Sequence, residues 1–183
     1  AAQGMMSSYK NKFLGSIGHF ATFSFHETKN YTSGGEGGLL VINDEKFIDS
    51  ANIIREKGTN RSKFLHGEVD KYTWKGLGGS YLMSDLQAAY LWGQLEQASK
   101  INENRLSTWN FYYNSFKAIN QNQVELPIIQ NYCKHNAHIF YLKLKNFEHR
   151  TNFINKLKTD NIMSLFHYVP LHLSDAGQKY GVF

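Results

Sequence analysis

Ser24-Phe25-His26-Glu27-Thr28-Lys29-Asn30, followed by Gly34-Gly35-Glu36-Gly37-Gly38 and Leu39-Leu40-Val41-Ile42-Asn43-Asp44, is the stretch whose reading decides the fold. Residues 16 to 26 alternate small or polar with apolar side chains (Ile17, Phe20, Phe23, Phe25), which predicts a short buried strand. A loop carrying Lys29 follows, and four glycines within five positions then make a turn into a second apolar run, which Asn43-Asp44 stops. A strand that ends in a serine and leads to a loop lysine sets a hydroxyl and an amine at one end of a sheet. Ligand sites of α/β proteins gather there.

Outward from that core, Phe47, Ile48, Ala51 and Ile54 fall at helical spacing, with Asp44 placed to cap. A polar, glycine-containing loop is predicted from Gly58 to about Gly79. The strongest helix begins at Ser84-Asp85, where Leu86, Ala89, Tyr90, Trp92, Leu95 and Ile101 form a long apolar stripe that can run past Arg105 to Phe116. Beyond Pro127 the pattern changes to a strand over 139 to 144, an amphipathic helix over about 151 to 159 and a strand over 163 to 169, an α+β arrangement. There is no internal repeat and no low-complexity tract.

Composition narrows the class. With 183 residues, 42% hydrophobic and 19% charged, and only two prolines, the chain reads as folded and globular. Its net charge of +5 favours an anionic ligand, yet basic residues are interspersed with acids, as in Glu56-Lys57 and Glu68-Val69-Asp70-Lys71, so no nucleic-acid arm is predicted. Cys133 is the only cysteine, which excludes an intrachain disulfide and fits a reducing cytoplasm. No apolar run approaches the roughly 20 residues that cross a bilayer. The start at Ala1-Ala2-Gln3 without a Met and the stop at Gly181-Val182-Phe183 lead us to expect truncation at both ends.

Ser24 to Tyr31 (S-F-H-E-T-K-N-Y), G-G-E-G-G and the following L-V-I-N-D resemble the sugar-nucleotide aminotransferases of the fold type I pyridoxal-phosphate (PLP) superfamily. The resemblance extends to Ala1-Ala2-Gln3-Gly4, to Gly18 through Phe25, to Ser80-Tyr81-Leu82-Met83-Ser84-Asp85-Leu86-Gln87-Ala88-Ala89 and to His167-Tyr168-Val169-Pro170-Leu171-His172, so it covers the whole chain. It implies an α/β fold, with residues 1–110 the later part of a PLP-binding large domain and 111–183 an incomplete α+β small domain. It also implies a cytoplasmic homodimer that aminates a nucleotide-linked, dTDP-borne 4-keto-6-deoxy sugar with glutamate as donor, for bacterial surface polysaccharide.

Residue by residue, the resemblance makes Lys29 the amine that condenses with the cofactor and moves the proton. It makes Ser24 a hydrogen-bond partner of the cofactor phosphate and Gln3 a neighbour of the cofactor ring. Ser80 stands where many relatives carry an Asn that reaches the partner's cofactor phosphate; with its shorter side chain the contact becomes water-mediated, or Ser80 merely leads into the following helix. His138, His167, Tyr168 and His172 fall on the substrate-side wall. His26 is positional. No metal is predicted, because no carboxylate or cysteine completes a set with His167 and His172.

The glycine cluster satisfies neither G-x-G-x-x-G nor the Walker pattern and is read as a turn beside the cofactor. The family's acidic partner of the pyridine nitrogen directly precedes Ala-Ala-Gln, and further phosphate donors lie upstream, so the 183 residues alone are not expected to catalyse. Arg55, Lys57, Arg61 and Lys63 are read either as diphosphate contacts or as a solvated basic loop. Two alternatives stay open: a ligand-sensing, aminotransferase-like domain of a DNA-binding regulator, and a sugar dehydratase on the same scaffold. Lys29 disfavours the second, in which a histidine takes its place.

Overall fold

The computed structural model describes residues 1–119 and 124–181. They form two compact units, the first built from Ala1–Ile119 with Pro127–Tyr141, the second from the described parts of Asn120–Leu126 and Leu142–Phe183.

In the first unit, β1 (Ser8–Tyr9) and β2 (Lys12–Phe13) form a hairpin. Its two turn residues, Lys10 and Asn11, both have positive φ (47° and 61°), the geometry that matches strand twist. Next, β3 (Phe20–Ser24) and β4 (Gly38–Ile42) pair antiparallel, Phe20 opposite Ile42 and Ser24 opposite Gly38. These strands sit where the alternation predicts them, but β4 is not buried: Leu39 and Leu40 are each 48% exposed, since among the described residues β3 is its only partner.

Asp44 accepts from the Lys46 N–H and opens a short 3-10 turn into α1 (Ile48–Arg55). The polar loop beyond it holds a helix that the sequence reading omitted, α2 (Arg61–Leu65). Here the chain folds back on itself. Gly58, at φ +76°, lies so near the Gly76 carbonyl that a Cβ would fall 1.9 Å from its oxygen. Asn60 fastens the loop through Nδ2 to the Lys71 carbonyl (2.9 Å) and through Oδ1 to the Thr73 N–H (2.8 Å).

Ser84 caps α3 (Asp85–Glu96) by accepting from the Gln87 N–H at 3.3 Å. The single long helix expected past residue 96 is instead broken at Gln97 (φ −101°, ψ 12°), which serves as the cap of α4 (Ala98–Lys117). Leu95, Ala98 and Ile101, on both sides of the break, pack on a core of Phe25, Tyr31 and Leu91. The whole of α4 belongs to the first unit.

After β5 (Val124–Glu125), β6 (Cys133–Lys134) returns to pair with β1. The strand expected over 139–144 shrinks to β7 (Lys143–Leu144), paired with β5. The segment just before it is tied by side chains of α4. The His138 oxygen accepts from Arg105 Nη2 (2.8 Å) and the Ile139 oxygen from Trp109 Nε1 (3.1 Å). Trp109 is buried beneath this segment, 4.5 Å from the His135 ring and 5.5 Å from the Phe140 ring.

In the second unit Asn146 caps α5 (Phe147–Thr159) through a 2.9 Å bond from the His149 N–H, and Ser174 caps α6 (Asp175–Tyr180) through the Gly177 N–H at 3.0 Å. Arg150 lies between two rings, 4.7 Å from Phe147 and 4.5 Å from Phe166. The strand expected over 163–169 does not form. No strand among the described residues pairs with that segment, and Tyr168 takes a left-handed φ of 70° that interrupts extension. Val182 and Phe183, part of the noted C-terminal end, lie outside the described residues.

Candidate functional site

Ser24 ends β3, and the next residues turn away from the ribbon. The Phe25 N–H donates to the Gly37 carbonyl, His26 bridges to Gly35, and the Lys29 N–H closes a turn on the His26 carbonyl at 2.9 Å. Lys29 is therefore presented on a loop whose two feet are pinned to the glycine cluster. Those glycines are needed for close approach: a Cβ on Gly37 would sit 2.5 Å from Ser33 Oγ and 2.6 Å from Met83 Cε. Ser33 is 1% exposed and donates to the Phe25 carbonyl at 3.1 Å, while Gln87 of α3 donates to the Glu36 carbonyl at 3.0 Å.

The His26 ring sits between two polar groups. Nδ1 faces the Thr28 N–H at 3.2 Å, and because a backbone N–H can only donate, Nδ1 must accept. The neutral ring then carries its hydrogen on Nε2, which points to Glu36 Oε1 at 3.7 Å. Ser24 Oγ accepts from the His26 N–H at 3.4 Å, which leaves the hydroxyl's own hydrogen for another acceptor.

Two contacts bring the N-terminal loop into the same place. The Ser24 N–H donates to the Ala2 carbonyl at 3.2 Å, and the Gln3 carbonyl accepts from Asn136 Nδ2 at 2.6 Å. Asn30, directly after Lys29, donates through Nδ2 to the Asn136 carbonyl (2.9 Å), and its Oδ1 lies 2.7 Å from His138 Nδ1. Gln3, Ser24, Lys29 and His138 thus share one hydrogen-bonded frame, with Lys29 half-buried and Gln3 exposed. Sequence reasoning did not single out Asn30 or Asn136. Their signal was faint, an Asn one residue after Lys29 and another two residues before His138, and their pairing spans 106 positions.

Beside this frame Tyr31, 2% exposed, donates its hydroxyl to the Ala98 carbonyl at 3.3 Å. Burial pushes its pKa up, and the Arg105 cation opposes that. Burial lowers the His135 pKa.

Ser80 lies elsewhere, with no bond to the lysine loop among the described residues. It is exposed, bridges to Glu56, and lines a hollow of about 250 Å³ with Arg55, Glu56, Lys57, Arg61, Tyr72 and Leu82. Two members of the expected basic set are already engaged: Arg55 Nη2 with Glu56 (3.1 Å) and Lys63 with Asp49 (2.5 Å), whose carboxylate raises the Lys63 pKa. In the second unit His167 and Tyr168 pack ring to ring at 4.1 Å and are exposed, and His172 falls in the short 3-10 turn Leu171–Leu173.

The donor set fits a phosphate-bearing aldehyde. An amine stands on the loop outside every ion pair found among the described residues, a hydroxyl with an uncommitted hydrogen precedes it by five positions, and the glycine cluster keeps bulk away. No helix of the described residues is long and apolar enough to cross a membrane.

A protein of Methanocaldococcus jannaschii without a characterised function is 33% identical over 180 residues, 94% of this chain and 46% of its own. The dTDP-3-amino-3,6-dideoxy-alpha-D-galactopyranose transaminase of Aneurinibacillus thermoaerophilus is 29% identical over 180 residues, 98% of this chain and 46% of that protein. A Streptococcus pneumoniae sugar aminotransferase solved in its PLP form superposes with a TM-score of 0.84 at 25% identity, covering 100% of this chain and 46% of that one. Other relatives bear the names of a UDP-4-amino-4,6-dideoxy-N-acetyl-beta-L-altrosamine transaminase and a GDP-perosamine synthase. The chain spans about half the length of the curated relatives it matches. The model of the DegT/DnrJ/EryC1/StrS aminotransferase family matches residues 1–181, and the chain belongs to that family, whose members use pyridoxal phosphate.

Proposed function

We propose that the protein containing this chain transfers an amino group from glutamate to a keto sugar carried on a nucleoside diphosphate, with Lys29 as the reacting amine. The observation that carries the reading is the convergence of the Lys29 loop, the Ser24 strand end and the Gln3 loop on one frame. Bound pyridoxal phosphate supplies an aldehyde for the amine and a ring that takes up electrons when a proton leaves the adjacent carbon.

Lys29 then serves twice. Its amine would hold the cofactor aldehyde and, when free of it, would carry the proton between two carbons. Ser24 would offer its hydroxyl hydrogen to the cofactor phosphate, and Gln3 would neighbour the cofactor ring. His138, through its bond to Asn30, and His167, Tyr168 and His172 supply the sugar side. Ser80 serves the cofactor phosphate of a second copy in a homodimer. Residues 1–110 act as the cofactor-binding portion and 111–183 as part of the small domain.

The names of the relatives span UDP-, dTDP- and GDP-linked compounds, so the nucleotide is the finest part of the proposal: a dTDP-linked 4-keto-6-deoxy sugar, for surface polysaccharide. The test uses the complete protein with pyridoxal phosphate, ¹⁵N-glutamate and the dTDP-, UDP- and GDP-linked keto sugars in parallel. Label appearing on the dTDP sugar at the highest rate is the expected result. Label on another nucleotide first would correct the substrate, and label on none would overturn the reaction.

A further inference from the structure

Asn136 is the least expected residue near Lys29. It is 4% exposed, and every polar group of its side chain is used. Nδ2 spends both hydrogens, on the Gln3 carbonyl (2.6 Å) and the Met5 carbonyl (2.8 Å), while Oδ1 accepts from the His138 N–H (3.2 Å). The orientation of this amide is not arbitrary. Two carbonyls face one end and an N–H the other, so the reversed amide would set oxygen against oxygen twice.

Its main-chain oxygen holds the other side of the site, accepting from Asn30 Nδ2 at 2.9 Å. Since that amide nitrogen donates, Asn30 Oδ1 must accept from His138 Nδ1 at 2.7 Å, which fixes the His138 ring with its hydrogen on Nδ1. A closed ring of bonds therefore joins Asn136, Asn30 and His138, with the Gln3 and Met5 carbonyls tied to it through Asn136 and Lys29 one peptide from it. None of these bonds uses the Lys29 amine, the Ser24 hydroxyl or the Gln3 side chain.

We infer that Asn136 is a positioning residue, which holds the main chain at Lys29 and at Gln3 in fixed relation so that the lysine amine meets a ligand lying against Gln3. This rests on the reaction proposed above and adds a residue to it. A planar amide suits the task because it presents two donors and one acceptor in a fixed plane. Aspartate has the same shape but no donors, so Asn136→Asp turns two attractions into two repulsions without changing volume. Asn136→Ala only deletes them.

The experiment uses the complete protein. Hydrogen exchange of segments 3–7 and 26–31 is measured without cofactor, in wild type, Asn136→Ala and Asn136→Asp. Exchange in both segments is expected to rise about tenfold in Asn136→Ala and further in Asn136→Asp, with α3 unchanged, since a lost buried hydrogen bond is worth on the order of a tenfold shift. With pyridoxal phosphate bound, the pH midpoint of the visible absorbance is expected to move and kcat to fall about 100-fold, with the KM for glutamate within about threefold, because misplacement by an ångström acts on the reacting geometry.

A folded Asn136→Asp protein with wild-type exchange, wild-type midpoint and wild-type kcat would overturn the inference. Should both variants fail to fold, Asn30→Ala, which frees the lysine side alone, gives the same readouts. The wild-type protein gives one more: slow exchange of the Asn136 side-chain amide supports the bracket, and fast exchange contradicts it. Failure of the underlying reaction is separable, because a wild-type protein that forms no cofactor link at Lys29 removes the reaction and leaves the exchange result standing.

Discussion

The two units differ in what holds them. Every buried side chain among the described residues belongs to the first unit, from Phe25, Tyr31 and Trp109 to the polar Ser33, Asn30, Thr59 and Asn136. The second unit has well-capped helices and exposed apolar residues, with Met163, Leu165 and Leu171 each more than 80% exposed. The first holds buried partners as far apart as Asn30 and Asn136, whereas the second buries no side chain among the described residues. A substitution should therefore be felt strongly in the first and hardly at all in the second.

The largest effect tests the chemistry of the first unit. Lys29→Ala in the complete protein is expected to lower amino transfer by about 10⁴-fold, the upper range for a general acid–base group, while leaving the unfolding midpoint nearly unchanged. Stability is tested next. Trp109→Ala removes an indole that touches Tyr113, His135 and Phe140 and donates to Ile139, and it should cost about 3–5 kcal/mol in denaturant unfolding. A loss under 1 kcal/mol would mean that the 135–140 segment does not lie on α4.

A smaller cost follows at the glycine turn. Gly37→Ala drives a methyl into Ser33 and Met83 and should cost about 1–3 kcal/mol, with the Lys29 loop loosened in the same protein. At Leu165, 82% exposed, substitution by alanine should change stability by less than about 0.5 kcal/mol. A large loss there would show that something covers the second unit and would break the contrast.

Acid gives an independent check on the first unit. The His135 pKa is lowered in the fold by burial, and its Nδ1 faces the Ala137 N–H at 3.3 Å, so protonation both charges a desolvated ring and loses an acceptor. The unfolded chain then binds the proton more readily than the folded one. The stabilisation from the neutral ring is complete above the ordinary histidine pKa, about 6.5, and is lost as pH falls from there toward the lowered value. His135→Gln should flatten the fall of the unfolding midpoint as pH drops below about 6.5, and an unchanged slope would exclude His135 as its source.

How far the sequence could be read follows the same division. The places of β3 and β4, the turn at Lys29, the Asp44 and Ser84 caps and the body of α5 were legible, because each is marked by a pattern a few residues long. The failures needed partners that local patterns do not name. Residues 139–142 have the composition of a strand, yet the Ile139 carbonyl accepts from Trp109 and, among the described residues, only Lys143–Leu144 find a strand partner. Residues 163–169 alternate well but have no strand beside them among the described residues. The site was read from the motif around Lys29, and the bracket that supports it was missed because Asn30 and Asn136 are 106 positions apart.

One experiment bears most directly on the central assignment. The complete protein is incubated with pyridoxal phosphate, reduced with borohydride and digested, and the peptides are weighed. The account predicts the cofactor mass on the peptide containing Lys29 and on no other; the mass on a different lysine, or on none, would contradict it.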